Sequence, residues 1–264
     1  TVGLASTELT VASSERHDGT EGTGARIVRS TDTTGYVLRN NQVSAPTGGI
    51  VRIIAWLEID ANGNNVISGG FFNGATDSAT QDIIKNTISH GQSGASSLSA
   101  YLLNRGSSYC VNNILYDCNN TLTGGGNVGL KSGTSSENWH NNTVYKVKST
   151  ASHTSGTSYG ADFASVTASN NIVVDCVSDG SATTADFDGT SNYSLSSDSS
   201  AAGANSLTNK TAANQFVSIV AGSEDLHLKL GADAIDAGTD LAATPDGVQY
   251  DIDGRDRDAE GDTW

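Results

Sequence analysis

One short motif recurs at nearly constant spacing, and that recurrence restricts the chain to stacked architectures. Asn112-Asn113-Ile114-Leu115-Tyr116-Asp117-Cys118 returns as Asn141-Asn142-Thr143-Val144-Tyr145-Lys146-Val147 and as Asn170-Asn171-Ile172-Val173-Val174-Asp175-Cys176. A fainter copy reads Lys85-Asn86-Thr87-Ile88-Ser89-His90-Gly91. The motif's Asn advances through positions 86, 113, 142 and 171, in steps of 27, 29 and 29 residues. Two more strand-like pieces accompany each copy. One lies 10 to 14 residues before the Asn pair (100–103, 127–130, 159–163), and one leads straight into it (108–111, 137–140, 166–169).

Three short strands in about 28 residues, punctuated by Gly and Asn, describe one coil of a parallel β-helix. The fold class expected is therefore all-β, a right-handed parallel β-helix. Alternation along the strand puts Ile88, Leu115, Val144 and Val173 in one internal column. Asn86, Asn113, Asn142 and Asn171 then form a structural ladder at a turn, each amide bonding its neighbour's backbone. Residues 1–25 are irregular and read as a cap or lead-in. Residues 26–230 read as coils, clearest over 83–176. Residues 231–264 read as an acidic tail covering the bottom of the stack, because an open solenoid end would template aggregation.

Composition fits this reading and removes some functions. Of the 264 residues 16% are charged and 36% apolar, with 30 Gly and 2 Pro. That mix suits short strands and tight turns and does not suit disorder. A net charge of −15 repels phosphate backbones, so no nucleic-acid partner is expected. It also repels an anionic polysaccharide unless a cation bridges the two; a soluble, non-aggregating surface is its simplest meaning. Cys110, Cys118 and Cys176 are odd in number. The last two share a repeat position two coils apart, about 9.6 Å at the strand spacing, too far for a disulfide, so all three read as small core residues. No apolar run is long enough for membrane insertion. There is no Met anywhere, so a processed or partial chain is expected.

The segment Asp225-Leu226-His227-Leu228-Lys229-Leu230-Gly231-Ala232-Asp233-Ala234-Ile235-Asp236-Ala237-Gly238, followed by Asp251-Ile252-Asp253-Gly254-Arg255, resembles the C-terminal segment of many right-handed parallel β-helix proteins of pectin-lyase-like fold. With the Asn-Asn repeats the resemblance covers residues 25–264. Such proteins are common among secreted bacterial and phage-encoded chains. They include polysaccharide lyases, glycoside hydrolases and tailspike-like receptor-binding proteins. That family usually continues past Trp264 with another short strand, so the resemblance implies a chain that stops early.

Candidate chemistry starts from the position four after the motif's second Asn, occupied by His90, Asp117, Lys146 and Asp175. Glycoside hydrolysis needs two carboxylates roughly 5 to 9.5 Å apart. Asp117 and Asp175, about 9.6 Å apart across two coils, with Lys146 between, offer an acid, a base and a charge stabiliser. The same stripe also reads as a ladder of opposite charges. Tyr116 and Tyr145, one coil apart, and Trp139 in a neighbouring strand make a candidate aromatic strip for a sugar. Asp60, Asn62 and Asn64, and more weakly Asp251 and Asp253, space oxygen donors as a structural Ca²⁺ loop would, although Asx turns explain both segments. No other cofactor is indicated. The function expected is a non-enzymatic structural or adhesive module, virion-associated or extracellular, that associates with itself or with other surface subunits and contacts glycans. The alternative is a polysaccharide lyase or glycoside hydrolase of the same fold.

Overall fold

The computed structural model describes residues 6–31, 36–40, 50–64, 68–73, 80–94, 98–102, 108–120, 127–134, 136–149, 157–164, 166–176, 183–242 and 247–257. They form an all-β parallel solenoid. Each coil contributes one strand to each of three parallel sheets, here named A, B and C in the order the chain visits them. In the middle coils sheet A holds Thr80–Lys85, Tyr109–Val111, Asn138–His140 and Thr167–Ser169. Sheet B holds Glu58–Asp60, Ile88–His90, Ile114–Asn120, Thr143–Ser149 and Ile172–Val174. Sheet C holds Leu98–Leu102, Asn127–Lys131, Thr157–Phe163 and Thr183–Gly189. The most regular turns are 29 residues apart, as in the register Tyr109 to Asn138 to Thr167.

The bore is apolar and close-packed. Ile59, Ile84, Leu115, Leu130, Val144 and Val173 are fully buried in it, with Trp139, Phe163 and Phe187 as a run of tilted rings 5.6 and 6.1 Å apart. All three cysteines are free and buried there, as expected. Leu115 pairs with Ser89, and Ile88 lies on the other side of sheet B. The internal column is therefore Ile59, Ser89, Leu115, Val144 and Val173, one residue off the sequence reading in the fainter copy. A one-residue slip in a strand exchanges its two faces.

The slip has its origin at the corner between sheets A and B. The chain turns there through a residue with positive φ: Asn86, Asn112, Asn141 and Asn170, each between 52° and 59°. Asn is among the few residues that occupy this left-handed region readily. Asn86 is thus the counterpart of Asn112, the first Asn of the pair, and the step between them is 26 residues. Thr87, not Asn86, stands in the ladder.

The ladder itself is built by the residue after the corner. The Asn142 backbone N–H and side-chain amide both donate to Asn171 Oδ1, at 3.0 Å each, and the amide also donates to Cys110 O at 2.8 Å. The Asn113 N–H and side-chain amide donate in the same way to Asn142 Oδ1, and the amide to Ile84 O. The Thr87 N–H and hydroxyl donate to Asn113 Oδ1. Ser194 Oγ closes the other end by accepting the Asn171 N–H.

The corner asparagines point the other way, into the C-terminal tail. Their side-chain amides donate from Asn86 to Asp251 O, from Asn112 to Gly247 O, from Asn141 to Val248 O and from Asn170 to Thr239 O. The described part of the tail therefore runs along the corner as a strap, from the last coils back toward Trp56, and does not lie under the stack. Asn donors at four successive corners, 86, 112, 141 and 170, provide a row of partners that an extended backbone can follow.

Replacing Asn142 by Ala removes four core hydrogen bonds, the two that its Oδ1 accepts from Asn113 and the two that its amide donates to Cys110 O and Asn171 Oδ1. It is expected to destabilise the chain by about 4 kcal/mol in urea unfolding. Asn141→Gly keeps the left-handed turn and loses one bond to the strap, at a cost of about 1 kcal/mol.

Candidate functional site

Sheet B is covered on its outer face as well. Outward-facing residues there are polar in the early coils and apolar later: Glu58 and Asp60, Ile88 and His90, Ile114 and Tyr116, Tyr145, Val174, Leu195. An antiparallel hairpin, Phe216–Val220 with Ser223–Leu228, packs Phe216 and Leu226 onto the apolar part. The lead-in 16–25 lies over the polar part. His17 donates from Nε2 to Asn86 O at 2.9 Å, and its Nδ1 accepts the Gly19 N–H, which fixes its tautomer. Burial holds His17 below the ordinary imidazole value and so neutral. Lead-in and hairpin meet at Gly19, where φ is +84° and a Cβ would stand 2.4 Å from His227 Nε2, so only Gly fits.

Beneath the lead-in is a cluster of charge. Glu58 is fully buried, and His90 and Asp60 are nearly so. His90 Nε2 lies 2.9 Å from Glu58 Oε1, and its Nδ1 lies 3.8 Å from Asp60 Oδ1. The Arg26 guanidinium reaches Glu58 Oε1 at 3.5 Å, Asp60 Oδ2 at 3.7 Å and Glu21 Oε1 at 4.0 Å. The Gly22 N–H donates to Glu58 Oε2 and the Tyr116 hydroxyl to Glu21 Oε2, both at 2.8 Å. The Tyr116 ring stacks on His90, 4.9 Å away and within 7° of parallel. Burial alone would raise the Glu58 carboxyl and lower the His90 imidazole. The hydrogen bond between them, with the Gly22 N–H and the neighbouring charges, outweighs it. Glu58 therefore lies below its ordinary value and His90 above. Burial, then the Glu21 carboxylate, pushes the Tyr116 hydroxyl up. A second group stands at the junction: His227 bridges Asp225 at 2.6 Å and Asp253 at 3.0 Å, and these bonds raise it against burial.

The residues singled out from the sequence are placed differently. Asp117, Lys146 and Asp175 have φ of 50°, 53° and 56°, so their stripe is a second line of left-handed bends. Asp117 and Asp175 are exposed, and among the described residues Lys146 forms no ion pair with either; its ammonium sits 4.8 Å from the Tyr145 ring centroid. His90 is not in that stripe: its counterparts are Tyr116 and Tyr145, and Gly91 occupies the bend. The aromatic strip is not exposed. The hairpin buries Tyr145, hairpin and lead-in together bury Tyr116, and Trp139 lies inside the bore. Asp60 caps an Asx turn through the Asn62 N–H at 2.6 Å and faces Arg26, while Asn64 directs its amide N–H groups to Arg29 O and Ala61 O. Asp251 likewise accepts the Arg255 N–H, and Asp253 is engaged by His227. Neither segment forms the open oxygen cage of a Ca²⁺ loop. Trp264 lies outside the described residues.

The cluster of Glu21, Arg26, Glu58, Asp60 and His90 escaped the sequence reading because three separate segments supply it. The available signal was the outward alternation Glu58-x-Asp60 set over Ile88-x-His90, which pairs acids with a histidine one coil on. No protein family, characterised protein or solved structure matches the chain. Among the described residues no helix is long and apolar enough to cross a membrane.

Removing the Glu58 carboxylate leaves the imidazole without its closest buried acceptor. Glu58→Ala is expected to lower stability by about 3 kcal/mol. Asp117→Asn and Asp175→Asn, at exposed bends, change it by less than about 0.5 kcal/mol. Urea titrations of the three variants measure the contrast.

Proposed function

We propose that the chain is a non-enzymatic structural module of a virion or a cell surface, a stiff rod that supports or displays and that associates with further subunits. The observation that carries this reading is the double use of the Asn pair. The second Asn ties coil to coil inside the wall, through Asn113, Asn142 and Asn171, and the first ties the wall to the strap, through Asn86, Asn112, Asn141 and Asn170. Buried amides with two or more partners resist local opening. The pectin-lyase-like resemblance of the C-terminal segment supports a secreted or phage-borne setting. The −15 net charge keeps such a rod soluble before assembly. Exposed Val217, Val220 and Leu230 on and beside the hairpin give it apolar contact area for another subunit. A glycan ligand, if one is bound, meets residues other than Tyr116, Tyr145 and Trp139, which are inside.

An antibody raised against the purified chain tests this on its source material. The chain is expected to sediment with assembled particles or cell envelopes. The proposal fails if the chain is found as a free pool that depolymerises members of a polysaccharide panel, assayed with and without Ca²⁺. That outcome would establish the lyase or hydrolase alternative.

A further inference from the structure

We infer that Glu21, Glu58 and His90 form a binding site for one divalent transition-metal ion of the Zn²⁺ type. One donor atom from each of the three residues lies within 4.8 Å of the others. First-row ions held by imidazole and carboxylate place such atoms 2.0–2.2 Å from the metal, so a small contraction brings the three onto one centre. The set is mixed, one imidazole and two carboxylates, which suits Zn²⁺ or its neighbours and not the all-oxygen shell of Ca²⁺.

The surrounding groups are arranged as outer partners of metal ligands are. Glu58 Oε2 is held by the Gly22 N–H and Glu21 Oε2 by the Tyr116 hydroxyl, which fixes the plane of each carboxylate and leaves the two Oε1 atoms near Arg26. Stacking on Tyr116 fixes the His90 ring, and Asp60 stands on the side of its second nitrogen. The Arg26 guanidinium stands beside both Oε1 atoms and is the cation an ion would displace. The Arg26 side chain is 39% exposed and that of Glu21 29%, so the arginine has a route to solvent and the ion a route in. Three carboxylates outnumber the cations of the cluster, and an added dication lowers that imbalance. Binding joins the lead-in, which supplies Glu21, to sheet B, which supplies Glu58 and His90. The inference does not depend on the structural role proposed above.

Equilibrium dialysis of the full-length chain against Zn²⁺, with Ca²⁺ as the comparison, tests it. One Zn²⁺ per chain is expected, with a rise in the unfolding temperature and no equivalent effect of Ca²⁺. Substituting Co²⁺ should give the visible absorption of a nitrogen- and oxygen-ligated ion. His90→Ala and Glu21→Gln are each expected to weaken Zn²⁺ binding by at least about 100-fold. Glu21 is partly exposed, so its variant keeps the test valid if His90→Ala does not fold. Arg26→Ala, which removes the competing cation and no ligand, is expected to retain or tighten binding. No stoichiometric Zn²⁺ binding by the wild type, or equal binding by the wild type and Glu21→Gln, overturns the inference.

Discussion

A carboxamide buried in a β-helix wall must satisfy two donors and an acceptor or destabilise what it is part of. Asn113, Asn142 and Asn171 meet that demand through one another. Each Oδ1 takes a backbone N–H from the coil before it, and for Asn142 and Asn171 a side-chain N–H as well, while each amide donates onward to a neighbouring carbonyl. The column therefore functions only as a stack. It fixes the vertical register of sheets A and B, and with it the alternation that fills the bore. Once the register is set, Leu115, Val144 and Val173 face inward, and Ile114, Tyr116, Tyr145 and Val174 face outward.

That outward set creates the second constraint. A sheet apolar on both faces must be covered, and two irregular parts of the chain cover it. The hairpin takes the aromatic and aliphatic half. The lead-in takes the half where Glu58, Asp60 and His90 replace apolar residues. The strap then runs along the corner asparagines and meets both covers near His227 and Gly19. Where the lead-in seats, the cost of burying Glu58 and His90 is offset by their pairing and by fixing one docking position for a segment with little regular structure of its own.

Much of this was legible in the sequence, and the rest fails for physical reasons that particular residues make plain. The period, the three strands per coil and the ladder of Asn113, Asn142 and Asn171 follow from the repeat alone. Asn86 misled because a single Asn can match either member of a pair. The corner needs left-handed backbone, so Asn86 belongs with Asn112, and Ile88 consequently faces outward. The stripe of Asp117, Lys146 and Asp175 resembles paired acids with a cation, yet it is another line of left-handed bends, which accounts for its two aspartates. Tyr116 and Tyr145 alternate onto the outer face of sheet B, but periodicity carries no information about what a later hairpin lays on top. The cluster under the lead-in depends on Glu21 and Arg26 meeting Glu58 and His90, contacts that no local pattern encodes.

Native-state hydrogen exchange measures the ladder most directly, because the backbone amides of Thr87, Asn113 and Asn142 donate to an Asn side chain of the next coil. If buried side-chain bonds set the register, these three amides exchange only through global unfolding, in the same slow class as those of Leu115 and Val144. Exchange of the three by local opening, as fast as the strap amide of Thr239, would contradict the account.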